Sequence, residues 1–484
     1  MSELPAGWVE APLEDCVDIL DAQRQPINSE ERAQRVKGKG AEELFPYYGA
    51  TGQVGMIDSF LFDEELVALG EDGVPFFEGD KHKAYMLRGK TWVNNHAHVL
   101  RGIFEVLDNR ILCYFLNQFD YRDYVNGGTR LKLTQANMRR IPLRIPPRAE
   151  QKRIAQKLDA LLAQVDTLKA RIDAIPALLK RFRQSILAAA IAGSLSEDWR
   201  NTHGDASDGK KLHDLLRGLH EKAGGHSRGN ASDPSDEAHD LSLDDMPPQW
   251  DVAVLRDICE PGWPITYGIL KPGPELEHGV PYIRVADFPG NKLRLEGIKK
   301  TSEEIDALFK RARLRAGDLL LSIRGSVGRL IKIPAELEGA NITQDTARLS
   351  ISPAVSTPYI YWALLAESTQ RRMRAATRGV AVRGINIGDV RALQIPLPSR
   401  DEQDEIVRRV EQLFAFADQL EAKVAIAKQR IDTLTQSILA KAFRGELVPQ
   451  DPNDEPASML LERIRAQRVA APKPRRGRKP ISST

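Results

Sequence analysis

The feature that most constrains this chain is a repeat. Ala149-Glu150-Gln151, which opens a long periodic run, returns 252 positions later as Asp401-Glu402-Gln403. The same displacement carries Gly127 onto Gly379, Asn137 onto Asp389, Pro146 onto Pro398, and Gln184-Ser185-Ile186-Leu187 onto Gln436-Ser437-Ile438-Leu439. It also carries Gly193-Ser194-Leu195 onto Gly445-Glu446-Leu447, so the register holds over about 70 residues. The domain starts match as well: Leu4-Pro5-Ala6-Gly7-Trp8 parallels Met246-Pro247-Pro248-Gln249-Trp250, each a turn-rich entry before a strand-like run. A register kept over such a length means one structural unit built twice.

After each Glu-Gln pair the apolar residues step by four and three. They fall at Ile154, Leu158, Leu161, Val165, Leu168, Ile172, Ile175, Leu179, Phe182 and Ile186, then again at Ile406, Val410, Leu413, Ala417, Leu420, Val424, Ala427, Ile431, Leu434 and Ile438. A 3.5 period sustained for about five heptads belongs to helices that pair along one stripe, since a lone helix of that length leaves its seam wet. About 40 residues at 1.5 Å each give roughly 60 Å of helix. Two copies in one chain predict an antiparallel intramolecular coiled coil with the stripe as its core. Pro176 lies inside the first run, where it removes a backbone donor and crowds the preceding turn, so a kink is expected there.

The runs divide the chain into globular domains at 1–147 and 246–398, helical spacers at 148–200 and 399–450, a polar linker at 201–245 and a basic tail at 451–484. The globular domains show short strand-like pieces such as Leu319 to Ile323 and Ala347 to Ile351, punctuated by Gly and Pro, with a helix-like piece before each basic loop. Mixed α/β (α+β) is the expected fold class, with a pseudo-two-fold internal repeat. The linker, rich in Gly, Ser, Asp and His, reads as mobile with one short helix near Leu212 to Leu219, and the tail beyond Ala470 as disordered.

Composition removes several classes. No apolar run approaches the roughly 18 residues of a membrane span, and Met1 to Trp8 lacks the layout of a signal peptide, so a cytoplasmic protein without membrane contact is expected. Cys16, Cys113 and Cys259 are far apart, which signals neither disulfides nor zinc and leaves them as buried small hydrophobes. His82, His96 and His98 have no partner at metal-binding helical spacing. The net charge is only +2, but it is unevenly spread: Gln370 to Gly384 holds Arg371, Arg372, Arg374, Arg378 and Arg383 with no acid among them, and Arg122 to Arg144 is similarly basic.

Two strings point toward an ATPase. Gly204 to Lys211 resembles a Walker loop in which Lys211 replaces the magnesium-binding hydroxyl, and Asp236-Glu237-Ala238-His239 spells a helicase motif. Both lie in the polar linker without the preceding hydrophobic strand that a phosphate loop needs to aim its amides. No Asn-Pro-Pro-Tyr or Asp-Pro-Pro-Tyr run for amino-methyl transfer occurs. An enzyme built on these strings and a coiled-coil adaptor that reads no nucleic acid are two readings the sequence leaves to be weighed.

Two α/β domains, each followed by a long helix opened by Glu-Gln and closed by Gly-x-Leu, resemble the specificity subunits of type I restriction-modification systems. Local phrases share the resemblance: Tyr48-Gly49-Ala50-Thr51-Gly52 and Asn94-Asn95-His96 in the first domain, and Gly317-Asp318-Leu319-Leu320, Arg324-Gly325-Ser326-Val327-Gly328 and Asn341-Ile342-Thr343-Gln344 in the second. So do the Gly-rich loops Gly127-Gly128-Thr129-Arg130 and Arg378-Gly379-Val380-Ala381. The resemblance implies two target-recognition domains reading a bipartite, asymmetric sequence in double-stranded DNA. It implies as partners two methyltransferase subunits and restriction/translocase subunits, with S-adenosylmethionine, ATP and magnesium held by those partners and no catalytic centre in this chain. Arginine beside glycine suits DNA, because the backbone can approach a phosphate while the guanidinium forks onto guanine or a phosphate oxygen. Arg130, Lys132, Arg324, Arg378 and Arg383 are the principal DNA-binding candidates, with Asn95, Ser326 and Gln344 beside them. The tail's Arg-Gly-Arg-Lys-Pro run (476–480) is an imperfect AT-hook core, suited to a minor-groove or phosphate contact.

Overall fold

The computed structural model describes residues 4–79, 81–128, 130–204, 208–223, 246–379 and 383–470. The strings at 236–239 and 476–480 lie outside the described residues. The chain forms two compact units that cut across the segments read from the sequence. One comprises Met1–Asp173 with Val424–Thr484, the other Ala174–Lys423.

In the first unit a four-stranded antiparallel sheet is ordered Val17–Ile19, Ala97–Gly102, Leu66–Gly70, Ala84–Leu87. Strand Leu66–Gly70 is buried at every position, which is why it reads as an unbroken apolar run rather than an alternating one. A second four-stranded sheet, centred on Phe45–Gly49 and Lys90–Val93, contains a parallel pairing of Tyr47 with Trp92. Helix Asn109–Gln118 packs onto the first sheet through Ile111, Leu112 and Leu116. Strand Val9–Pro12 pairs with Pro142–Ile145 and so closes the start of the domain onto its end.

The second unit repeats this plan. Its four-stranded sheet runs Thr266–Tyr267, Thr346–Leu349, Leu319–Ser322, Leu330–Lys332; helix Thr357–Leu365 joins the core and Asp251–Val254 pairs with Gln394–Leu397.

The helices expected from the heptads are Arg148–Ile191 and Arg400–Ala442, and the first runs through Pro176 as one helix. They pair antiparallel. In the first unit Lys169 meets Asp432 at 3.0 Å and Asp173 meets Lys428 at 2.8 Å; in the second Arg183 meets Asp418 at 2.5 Å and Glu421 at 2.8 Å. Such exposed pairs contribute little energy but specify register. The stripe is not core throughout. Ile154, Leu158 and Val165 are buried in one unit and Ile406, Val410 and Ile186 in the other, whereas Leu168, Phe182 and Leu434 are exposed. A helix pair without a third partner covers only one face of each helix, and the ends are buried because globular domains press on them.

The Glu-Gln pairs explain the helix starts. Glu150 accepts the Trp8 indole N–H at 3.0 Å, and Glu402 accepts that of Trp250 at 2.9 Å. Gln151 and Gln403 each donate to the carbonyl of a proline five residues earlier, Pro146 and Pro398, at 2.9 Å. Gln151 accepts the amide of Asp108 at 2.9 Å, as Gln403 accepts that of Ser356 at 2.8 Å. The helix ends match as well. Gly193 and Gly445 have φ of +78° and +73°, and Pro247 and Pro5 respectively lie where a Cβ would stand. Only glycine fits both requirements.

Two expectations need correction. The short helix expected near Leu212 to Leu219 is there, but it runs over Gly209–Lys222 and is not part of a mobile linker: its Leu212 and Leu216 are buried in the second unit's core, and Arg200 before it is buried against Glu402. Its apolar residues recur at helical spacing among many polar ones, and that amphipathic stripe is the face it buries. The tail likewise begins with a helix, Ala457–Ala470, whose Leu461 joins the first unit's core. Residues 224–245 and 471–484 lie outside the described residues.

Candidate nucleic-acid interface

The eight candidate residues gather into one cluster per unit. Five come together in the second. Arg378 and Gly384 exchange both backbone hydrogen bonds, at 2.9 and 3.0 Å, making a hairpin that docks on the end of strand Leu319–Ser322: Gly325 donates to the Arg383 carbonyl at 3.0 Å and Ile385 to that of Ile323 at 2.9 Å. Ser322, buried below, braces the loop by donating to the Ser326 carbonyl and accepting the Arg329 amide at 2.8 Å. Arg324, Ser326, Arg378 and Arg383 are all exposed, and Arg324 Nη1 donates to Gln344 Oε1 at 3.3 Å. Among the described residues no carboxylate pairs with Arg324, Arg378 or Arg383.

The first unit builds the same backbone. Strands Val125–Asn126 and Lys132–Leu133 form the hairpin; Gly73 donates to the Leu131 carbonyl at 3.1 Å and Leu133 to that of Glu71 at 2.7 Å. Each of these residues lies 252 positions before its counterpart, and Gly127 and Gly379 at the hairpin tips share φ of +113° and +108°. The side chains differ. Asp72 Oδ1 accepts from Arg130 Nη2 and from His96 Nδ1, each at 3.0 Å. Glu71 pairs with Lys132 at 3.2 Å and Arg24 at 3.0 Å, and Arg24 also donates to the Asn95 carbonyl at 3.4 Å. The cations stand out while the acids are recessed: side-chain exposure is 66% for Arg130 and 53% for Lys132 but 19% for Asp72 and 16% for Glu71. Sequence reasoning missed Glu71, Asp72 and Arg24, although extending the 252 register pairs Asp72 with Arg324 directly.

Behind this cluster, buried His98 presents Nδ1 to Asp21 at 2.7 Å and Nε2 to the Leu133 carbonyl at 3.0 Å, a structural role for that histidine. Burial pushes the Asp21 carboxyl up, but His98, the Val99 amide and the Gln135 side chain outweigh it and hold the group below the usual carboxylate range. The three cysteines are buried thiols, with burial pushing Cys113 and Cys259 up to about 12, far from nucleophilic character.

Residues 205–207 of the ATPase-like string lie outside the described residues, and the helix after it is capped by the chain itself. The Gly209 amide donates to the Gln249 carbonyl at 2.8 Å and those of Lys210 and Lys211 to Asp208 Oδ1, so a carboxylate occupies the place a phosphate would take. Gly209 is packed so closely that a Cβ would lie 2.1 Å from the Leu397 carbonyl. No group of three or more His, Cys, Asp or Glu able to hold a metal occurs among the described residues, and no helix among them is long and apolar enough to cross a membrane.

Two similar α/β units with basic strand-end clusters, each tied to a helix of an antiparallel pair, define a two-domain recognition scaffold. The family model for the type I restriction modification DNA specificity domain matches residues 5–177 and again 247–428, and the chain belongs to that family. It is 38% identical over 338 residues to the type I restriction enzyme EcoBI specificity subunit of Escherichia coli, covering 68% of this chain and 65% of that protein, just under two thirds of its length. Similarity to the EcoKI specificity subunit of Escherichia coli strain K12 is 32% over 74% of this chain and 72% of that one. To the Escherichia coli EcoDI subunit it is 29% over 88% and 90%. The HsdS subunit from Thermoanaerobacter tengcongensis shares the fold, with a TM-score of 0.52 at 17% identity over 92% of this chain and 99% of that one.

Proposed function

We propose that the chain is the DNA-reading subunit of a type I restriction-modification complex and has no catalysis of its own. Each unit reads one half of a bipartite, asymmetric target through its strand-end cluster. Two methyltransferase subunits and the restriction/translocase subunits supply the chemistry, with S-adenosylmethionine, ATP and magnesium bound there, and the complex acts in the cytoplasm. Arg130, Lys132 and Asn95 contact one half-site, and Arg324, Ser326, Gln344, Arg378 and Arg383 the other. The observation that carries this reading is the recurrence of one exposed cationic cluster on one backbone geometry, 252 positions apart, in two separate units. Phosphate contacts from such clusters position a protein, and forked arginines read bases. The test is sequencing of modified bases in host DNA with and without this gene: loss of a single bipartite methylated motif is expected, and an unchanged methylation pattern would refute the reading. The purified chain alone should neither hydrolyse ATP, cleave DNA nor transfer methyl groups.

A further inference from the structure

At one pair of equivalent positions the two clusters exchange charge while keeping their backbone. Asp72 and Arg324 occupy equivalent places, each bridged to the facing hairpin at Lys132 and Gly384 respectively. The exchange is matched by size. A Cβ at Gly384 would lie 2.9 Å from Arg324 Cγ, so the absence of a side chain at 384 gives the stem of Arg324 its path across the hairpin. At the equivalent place the first unit has the long Lys132 facing the short Asp72, and its guanidinium comes from the hairpin itself, as Arg130. Gln344, beside Arg324, comes from the same turn before the neighbouring strand that supplies Asn95 and His96 in the first unit.

Resting on the function proposed above, we infer that the two readers deliver their base-reading guanidinium from opposite strands of this cluster, with Arg378 and Arg383 of the second hairpin left to phosphate contacts. Arg324, steadied by Gln344, selects a guanine in one half-site. In the other half-site Arg130 contacts the base edge, and Asp72 is a positioning residue that holds its guanidinium. Arginine suits guanine because two donors of its planar fork meet O6 and N7 together, whereas lysine keeps the charge without the fork.

The experiment co-expresses the full chain with its methyltransferase partner subunits and sequences modified bases. Wild type yielding no bipartite motif would defeat the underlying reading, not this inference. Given a wild-type motif, Arg324→Lys should relax a guanine requirement at one position of one half-site, by about tenfold or more, and leave the other half unchanged. Asp72→Asn should relax one position of the opposite half only, a change that loss of stability alone, acting on both halves together, cannot produce. Arg324→Ala should act as Arg324→Lys does. Where a variant gives no methylation, the purified complex is titrated with duplexes substituted at each target position, and a lost guanine preference in one half supports the inference. Full retention of the wild-type motif by Arg324→Lys, or relaxation of both halves by either variant, would overturn it.

Discussion

The two helix junctions are built alike and charged differently. At the second, Glu402 is fully buried and held by Trp250 at 2.9 Å, Ser196 at 2.7 Å and Arg200 at 2.5 Å. At the first, Glu150 is equally buried and bonded to Trp8, but its Oε1 has no hydrogen-bond partner, and burial pushes its pKa up. The same contrast governs the strand-end clusters, where acids hold the cations of one unit and the arginines of the other face solvent. The repeat preserves the frame in both places, the Glu-Gln side-chain bonds at the junctions and the backbone bonds at the clusters, and lets the neighbouring charged side chains diverge.

The largest effect is expected at the paired junction. Glu402→Gln leaves Arg200 buried without a counter-charge, which should cost about 3–5 kcal/mol and lower the unfolding midpoint of the second unit in a calorimetric scan. Next, Leu216→Ala, in the helix of the former linker, should cost about 2–5 kcal/mol in urea denaturation, because its side chain is 1% exposed in the core. A near-neutral result would return that segment to linker status.

Glu150→Gln should change stability by less than about 1 kcal/mol at neutral pH, since the Trp8 indole keeps an acceptor. Its signature is in pH dependence. With a folded pKa above the ordinary value of about 4.3, the protonated form favours the fold; that contribution is whole below the ordinary value and is lost as pH rises through the elevated one. The variant should lack this decline. Smallest of all, Lys428→Ala removes a solvent-screened pair with Asp173 and should leave the unfolding midpoint in a thermal scan essentially unchanged.

The repeat, the long helices and the basic loops were legible because each leaves a local trace: a fixed displacement, a 3.5 period, arginines beside glycine. The acids behind Arg130 and Lys132 were not, since Glu71 and Asp72 take their meaning from a hairpin about 60 residues away. The helix near Leu212 to Leu219 was legible, but its burial was not, because the strands it packs on, Asp251–Val254 and Gln394–Leu397, lie far along the chain. Exposure of Leu168 and Leu434 could not be foreseen either, because a heptad pattern states which face is apolar and not how many partners cover it.

The most direct test of the central claim, that each unit reads its own half-site, is to replace residues 246–398 with the corresponding domain of a relative of different target. The methylated motif of the resulting complex is then sequenced. One half of the motif should change to the relative's and the other half should remain. A swap that altered both halves would mean the two units read jointly, and the account would be wrong.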